Sequence, residues 1–237
     1  MRKTAFTVLY FFVVLSGIAH PRETVVVAFA RDSADVPVGR AVVEEAYRRA
    51  GIPVEFQVFS ASEALRMSNS GEVDAELQRI DGISNTYEHL VKVPIPVNLI
   101  QGVAYSKKYR FPVRGWHSLR PYRLGIVRGI VFAEQQTAGM TRVLYDNYAE
   151  LVEALRKDEV EVGVMIKFEG RKALQTLEGE GIEEMEGVLE TLFLYHYVHE
   201  SRRDLIPELE PGLKEMLLSG ESRRTRLDAW KAMEKQP

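Results

Sequence analysis

TVVVAFARDSADVPVGRAVVEEAYRRAGIPVEFQVFSASEALRMSNSGEVDAELQRI, residues 24–80, alternates between two periodicities. Thr24 to Phe29 is a short β-branched run of the kind that forms a strand covered on both faces. Residues 38–50 then place Val42, Val43, Ala46, Tyr47 and Ala50 at helical spacing, and Gly51 ends that helix. Val54 to Phe59 is the next strand. Ser60 with Glu63 makes a capping-box pattern ahead of Ala64 and Leu65. Gly71 closes the second helix, and Val73 to Leu77 forms a third strand. The order β-α-β-α-β predicts a parallel sheet with right-handed crossovers.

The same order recurs downstream. RLGIV (123–127) predicts a strand, Gly129 to Ala138 a short helix and Arg142 to Tyr145 a strand. Asn147, with Glu150 three positions on, caps a helix whose buried stripe is Leu151, Val152 and Leu155, and Val160 to Ile166 is another strand. Glu63-Ala64-Leu65-Arg66 is echoed by Glu153-Ala154-Leu155-Arg156, a weak internal repeat. Residues 168–186 predict a solvated helix and turn, and Leu189 to Val198 a strand. The tail from Ser201 predicts helix interrupted by Pro207 and Pro211, then a last helix after Gly220 with Leu227, Trp230 and Met233. The expectation is an α/β chain of two lobes, each a mainly parallel sheet flanked by helices. Lobe one is 20–104 plus 196–237 and lobe two is 105–195. The chain crosses between them near Val103–Ser106 and Leu192–His196.

The 237 residues suit one large domain or two small lobes, and 46% hydrophobic with 27% charged residues is ordinary globular composition. With no cysteine there is no disulfide framework, thiolate metal site or cysteine nucleophile. A net charge of -3 gives no electrostatic reason to expect a nucleic-acid partner. Arg2 and Lys3 precede an apolar run, Ala5 to Ile18, with small residues at Gly17 and Ala19. Residues 1–19 therefore read as a cleaved secretory signal, with the mature chain starting near His20 in the periplasm. As a helix the run reaches only about 21 Å, short of a ~30 Å hydrocarbon core.

GEVDAELQRI (71–80), VKVPIPV (91–97) and GVAYS (102–106) together resemble bacterial extracellular solute-binding protein family 3, the type II periplasmic binding proteins of amino-acid-type ABC importers. In that family a helix ends in a Gly-x-x-Asp turn, an apolar run ending in Pro follows, and a crossover strand leads into the second lobe. Asp74 and Pro96 sit at those places. Leu124-Gly125-Ile126-Val127-Arg128-Gly129 is similar to the family's first strand of lobe two, and Tyr195 to Gly220 to its return to lobe one. The resemblance implies a soluble exported binding protein, expected as a monomer. It would capture a small polar or anionic solute between its lobes and deliver it to a membrane permease, or alternatively report it to a membrane receptor. Three departures leave the ligand open. Tyr87 stands where the family's carboxylate-clamping Arg is usual, and Ile130 where a Thr is common. Arg31-Asp32-Ser33-Ala34-Asp35 replaces an aromatic-Pro stretch.

In an open α/β lobe, ligands gather at the carboxyl ends of the strands. That rule selects Ser33 after the first strand, Glu76 and Arg79 at the end of the third, and Tyr105 in the crossover. It also selects Arg128 with Gly129, where a helix N-terminus opens, and Tyr145. Arg79 and Arg128 suit clamping of planar anions. Glu76 suits a ligand ammonium or pairing with Arg79, Tyr105 and Tyr145 suit stacking, and Asp74 suits fixing its own turn. His196, His199 and Glu200 lack a third ligand at a metal spacing, so no metal is expected. No nucleophile elbow, P-loop or dinucleotide fingerprint is present, so no cofactor and no catalytic residue are expected. An enzyme reading, dehydratase-like on the same scaffold, would need Glu76 as a cleft acid unpaired with any arginine. A Glu76–Arg79 pair would favour binding.

Overall fold

The first β-α-β-α-β series forms β1 (Val25–Ala30), α1 (Val36–Ala50), β2 (Val54–Phe59), α2 (Ala61–Ser70) and β3 (Ala75–Ile80). The computed structural model describes residues 22–31, 35–177, 179 and 181–234. The expected leader and Ser33 lie outside them. β1 is the centre of this series and pairs in parallel with β2 and β3. The Ser60 Oγ accepts the Glu63 N–H at 3.3 Å, which caps α2 as its sequence pattern requires. β3 starts at Ala75, later than Val73, because Asp74 is held in the turn before it. One Asp74 oxygen accepts the Val26 N–H at 2.7 Å and the other pairs with Arg202.

β4 (Leu90–Ser106) is one long strand, and β9 (Glu190–His199) runs antiparallel beside it from Leu90↔His199 to Gly102↔Glu190. The ladder slips on both sides of Pro96, which has no N–H to donate. The second series forms β5 (Leu124–Val127), α3 (Val131–Gln136), β6 (Arg142–Tyr145), α4 (Tyr148–Arg156) and β7 (Val162–Ile166). α5 (Lys167–Thr176) and β8 (Glu183–Glu184) follow. β5 pairs in parallel with β6 and β7, and β7 joins β4 antiparallel. The resulting order is β2-β1-β3-β9-β4-β7-β5-β6, with β8 on β4. Each outer half is parallel and the middle is antiparallel, so the sheet is mixed. The two copies of the Glu-Ala-Leu-Arg echo fall on α2 and α4, the second helix of each series. Ser60 caps three residues before its copy and Asn147 six before the other.

Burial separates into groups that follow the two series. Val42, Tyr47, Leu77, Val97, Leu209 and Met216 share one cluster with β1. Val103, Leu151, Leu155 and Met165 form another, with Leu124, Ile126 and Val164 in a third. The tail corrects the expectation of a helix interrupted by prolines, because α6 (Leu205–Leu218) runs through both of them. Pro207 lies in the first turn, where an N–H has no intrahelical acceptor. Pro211 is interior, and the buried stripe of Leu205, Leu209, Leu213 and Met216 offsets its missing hydrogen bond. Gly220, at φ 72°, separates α6 from α7 (Glu221–Glu234). Among the described residues, no helix is long and apolar enough to cross a membrane.

Candidate functional site

The C-terminal ends of β1 and β3 open onto a cavity of about 220 Å³. Phe29, Ala30, Glu76, Gln78 and Arg79 line it from the first series. Ile166 at the end of β7 and Glu169 in the first turn of α5 line it from the second. Its volume sits just below the ~300–1,000 Å³ usual for ligand pockets, which suits a small solute.

The floor is polar and buried. Glu76 is 1% exposed. Its Oε1 lies 2.8 Å from the Arg79 Nε, and the Ser68 hydroxyl donates to its Oε2 at 3.4 Å. Burial pushes the Glu76 carboxyl up to about 7, and Arg79 draws it back. Although close, the Arg79 Nε is misdirected for a hydrogen bond and has no acceptor among the described residues. The Arg79 Nη2 donates to the Ala61 carbonyl at 3.2 Å, so the guanidinium is steered by α2 and by the bulge between Glu76 and Arg79 on β3. Beside this pair, Asp35 accepts from the Gln78 amide and from the Asn98 amide, both at 2.9 Å, and Asn98 also donates to Gln78 at 3.1 Å. A Cβ on Gly39 would lie 1.8 Å from the Gln78 Oε1, so any side chain there would displace this amide.

Beneath the floor, His196 is fully buried and burial lowers its pKa to about 4. Its Nδ1 faces the Leu77 carbonyl at 3.1 Å and its Nε2 faces the Tyr47 hydroxyl at 3.0 Å. A carbonyl only accepts, so Nδ1 carries the proton and Tyr47 donates to Nε2. His199 is engaged separately with Ser201. Among the described residues, no group of acidic and histidine side chains could hold a metal ion.

Of the residues selected from sequence, the fold brings Glu76 and Arg79 together at this cavity. Ser33 is outside the described residues, and Arg128, Gly129, Tyr105 and Tyr145 lie away from the cavity. Arg128 points outward, 61% exposed, and pairs with Asp146 at 3.2 Å. The Gly129 N–H donates to the chain's own Glu134 at 2.6 Å, so a carboxylate already occupies the anion position expected there. Tyr105 is buried in the second-series core, its hydroxyl 3.2 Å from the Lys167 carbonyl and from Glu184. Tyr145 packs half-buried on that same core, near Gly125. Asn98 and Glu169 were missed. Asn98 follows an apolar run and Glu169 sits in an acidic stretch, so neither carries a local signal.

No family model matches the chain. An uncharacterized protein of Shewanella oneidensis is 24% identical over 187 residues, 76% of this chain and 70% of that protein. Solved structures align far more completely than sequences. A histidine kinase sensor domain with similarity to periplasmic binding proteins covers 88% of this chain and 96% of its own, at TM-score 0.66 and 16% identity. The probable amino-acid ABC transporter extracellular-binding protein ytmK of Bacillus subtilis covers 87% and 98%, at TM-score 0.72 and 13% identity. The arginine-, lysine-, histidine-binding protein ArtJ of Geobacillus stearothermophilus covers 91% and 97%, at TM-score 0.60 and 13% identity. At these identities the likeness carries the fold alone. The chain has the two-lobed α/β fold of type II periplasmic binding proteins.

Proposed function

We propose that this chain is a periplasmic solute-binding protein, exported by removal of residues 1–19. It holds a small polar solute between lobe one (20–104 plus 196–237) and lobe two (105–195), and delivers it to an ABC-type importer. The observation that carries this reading is the cavity between the strand ends of the two series. One wall is charged and polar, with Glu76, Arg79 and Gln78, and the other carries Ile166 and Glu169. β4 and β9 are the two strands that pass between the lobes, and their ladder is irregular on both sides of Pro96. A solute touching both walls binds the closed form better than the open one, which is what closure requires.

The 2.8 Å contact of Glu76 with Arg79 supports binding over catalysis, because the guanidinium favours the ionised carboxylate and so opposes proton donation. The ionic pair suits a solute with both a carboxylate and a donor group, the first reaching Arg79 and the second Glu76. Likeness to a histidine kinase sensor domain supports a second reading, in which the closed form signals to a membrane receptor. Both readings use the same closure.

The test is a thermal-shift screen of the chain from His20 against amino acids, polyamines, dicarboxylates and phosphorylated metabolites. A ligand at 100 times its Kd adds ~2.7 kcal/mol of stability. A hit lost in Arg79→Gln and kept in Trp116→Ala supports the reading, since Trp116 packs against Phe132 and Glu190 away from the cavity. A hit indifferent to Arg79, or no hit in any class, overturns it. Retention of the loaded form by a permease supports delivery, and retention by a receptor kinase supports signalling.

A further inference from the structure

A larger cavity of about 460 Å³ adjoins the first and shares Asp35, Ile100, Ile166 and Glu169 with it. Its other walls come from Val38 of α1, from Asn98, Leu99 and Gln101 of β4, from α5, and from α7, which packs on α1 and α6. Lys167 and Arg171 line it from α5, and Arg223 and Arg226 line it one turn apart on α7. The two pairs of cations differ. Lys167 and Arg171 share the Glu184 carboxylate, at 3.1 and 2.8 Å. Arg226 is half-buried, and no carboxylate pairs with it or with Arg223 among the described residues. Like charges held side by side without a counter-ion disfavour one another. Burial and Arg223 accordingly lower the Arg226 pKa. Next to them the rings of Phe168 and Trp230 meet edge-to-face with centroids 4.1 Å apart, and Leu227 adds apolar surface that is 47% exposed.

We infer that this cavity is a second ligand site, which takes a small molecule carrying a phosphate or carboxylate and a flat apolar portion. The anion meets Arg226 and Arg223, and the apolar portion lies against Trp230, Phe168 and Leu227. A guanidinium fork matches such oxyanions bidentately, and the volume is that of an ordinary small-molecule pocket. α7 packs with the first series and α5 with the second, so an occupant touches both halves beside the crossover strand β4. The assignment does not rest on the identity of the solute in the smaller cavity.

Calorimetric titration of the purified chain with phenyl phosphate, and separately with inorganic phosphate, tests it. Phenyl phosphate is expected to bind more tightly than inorganic phosphate, with affinity falling as sodium chloride is added. Arg226→Gln is expected to weaken it by roughly 10-fold or more, the loss of a charge-assisted hydrogen bond. Trp230→Ala weakens phenyl phosphate more than inorganic phosphate. Trp116→Ala, away from both cavities, leaves the affinity unchanged. Absence of phenyl phosphate binding overturns the assignment. So does an affinity indifferent to Arg226→Gln, or one that falls with Arg79→Gln instead, which would put the anion in the smaller cavity. Arg223→Gln, on an exposed position, provides the same reading if Arg226→Gln does not fold.

Discussion

The two β-α-β-α-β series share strand order and helix placement, yet they finish their strands in opposite ways. Along β3, Glu76, Gln78 and Arg79 turn inward, and with Asp35 and Asn98 they form a polar floor over the buried His196. The ends of β5 and β6 keep their polar groups at the surface and satisfy them locally. Glu134 takes the Gly129 N–H, Asp146 takes Arg128, and Glu150 takes the Asp146 N–H. Beneath them the second-series core is apolar. One half therefore lines the cavity with buried polar groups, and the other contributes Ile166 and Glu169. Equal topology does not entail equal function. The difference lies in which side chains the strand ends bury.

The largest effect that bears on this contrast is expected in the apolar half. Leu151 is fully buried there, and Leu151→Ala should cost about 2–5 kcal/mol by chemical denaturation, with little dependence on pH. A strongly pH-dependent loss would show that buried charge, and not apolar packing, holds this half.

The polar half is expected to show two opposed titrations. Glu76 is raised from 4.5 to about 7 on folding, so folding takes up protons and its contribution is complete below pH 4.5 and lost as pH rises to 7. His196 is lowered from 6.5 to about 4, so its contribution is complete above pH 6.5 and lost as pH falls to 4. Each is worth on the order of 3 kcal/mol, and between pH 4.5 and 6.5 they nearly cancel. Denaturant midpoints of the wild type should be flat across that window. Glu76→Gln should fall towards acid, and His196→Phe should fall towards neutrality. Parallel pH profiles for all three proteins would refute the buried-charge account of this half.

Glycine substitutions sharpen the contrast at smaller amplitude. In Gly125→Ala the new Cβ would sit 2.3 Å from Leu151 Cδ1 and 3.0 Å from Val160 Cγ2, and overpacking should cost roughly 1–3 kcal/mol. Gly39→Ala meets instead the movable end of Gln78, and the helix gains some propensity. Its melting temperature should fall modestly as the Gln78 bonds to Asp35 and Asn98 break, and solute binding should be lost. Smallest of all, Arg128→Ala removes an exposed ion pair and should shift stability by no more than ~1 kcal/mol with solute affinity intact. A large affinity loss there would return Arg128 to the site.

Much of the framework was legible because its signals are local. Ser60–Glu63 and Asn147–Glu150 cap the helices that their spacing predicts, and Val54–Phe59 and Arg142–Tyr145 are strands with the expected bounds. At the site, the sequence placed Glu76 and Arg79 together at a strand end. Gly129 looked equally suited to an anion, and no pattern shows that Glu134 folds back to fill it. Asn98 and Glu169 carry no sign of their role until β4 and α5 are brought opposite β3.

Periodicity, caps and turns reach only a few residues along the chain, and from them alone came the α/β order, its duplication and the polar character of β3. The tertiary structure decided which strand ends face the cleft, which polar groups are buried, and that Arg223 and Arg226 share a wall with α5. Those properties depend on pairs of side chains far apart in sequence. Burial, which sets the charge state of Glu76 and His196, exists only once both layers have closed over them.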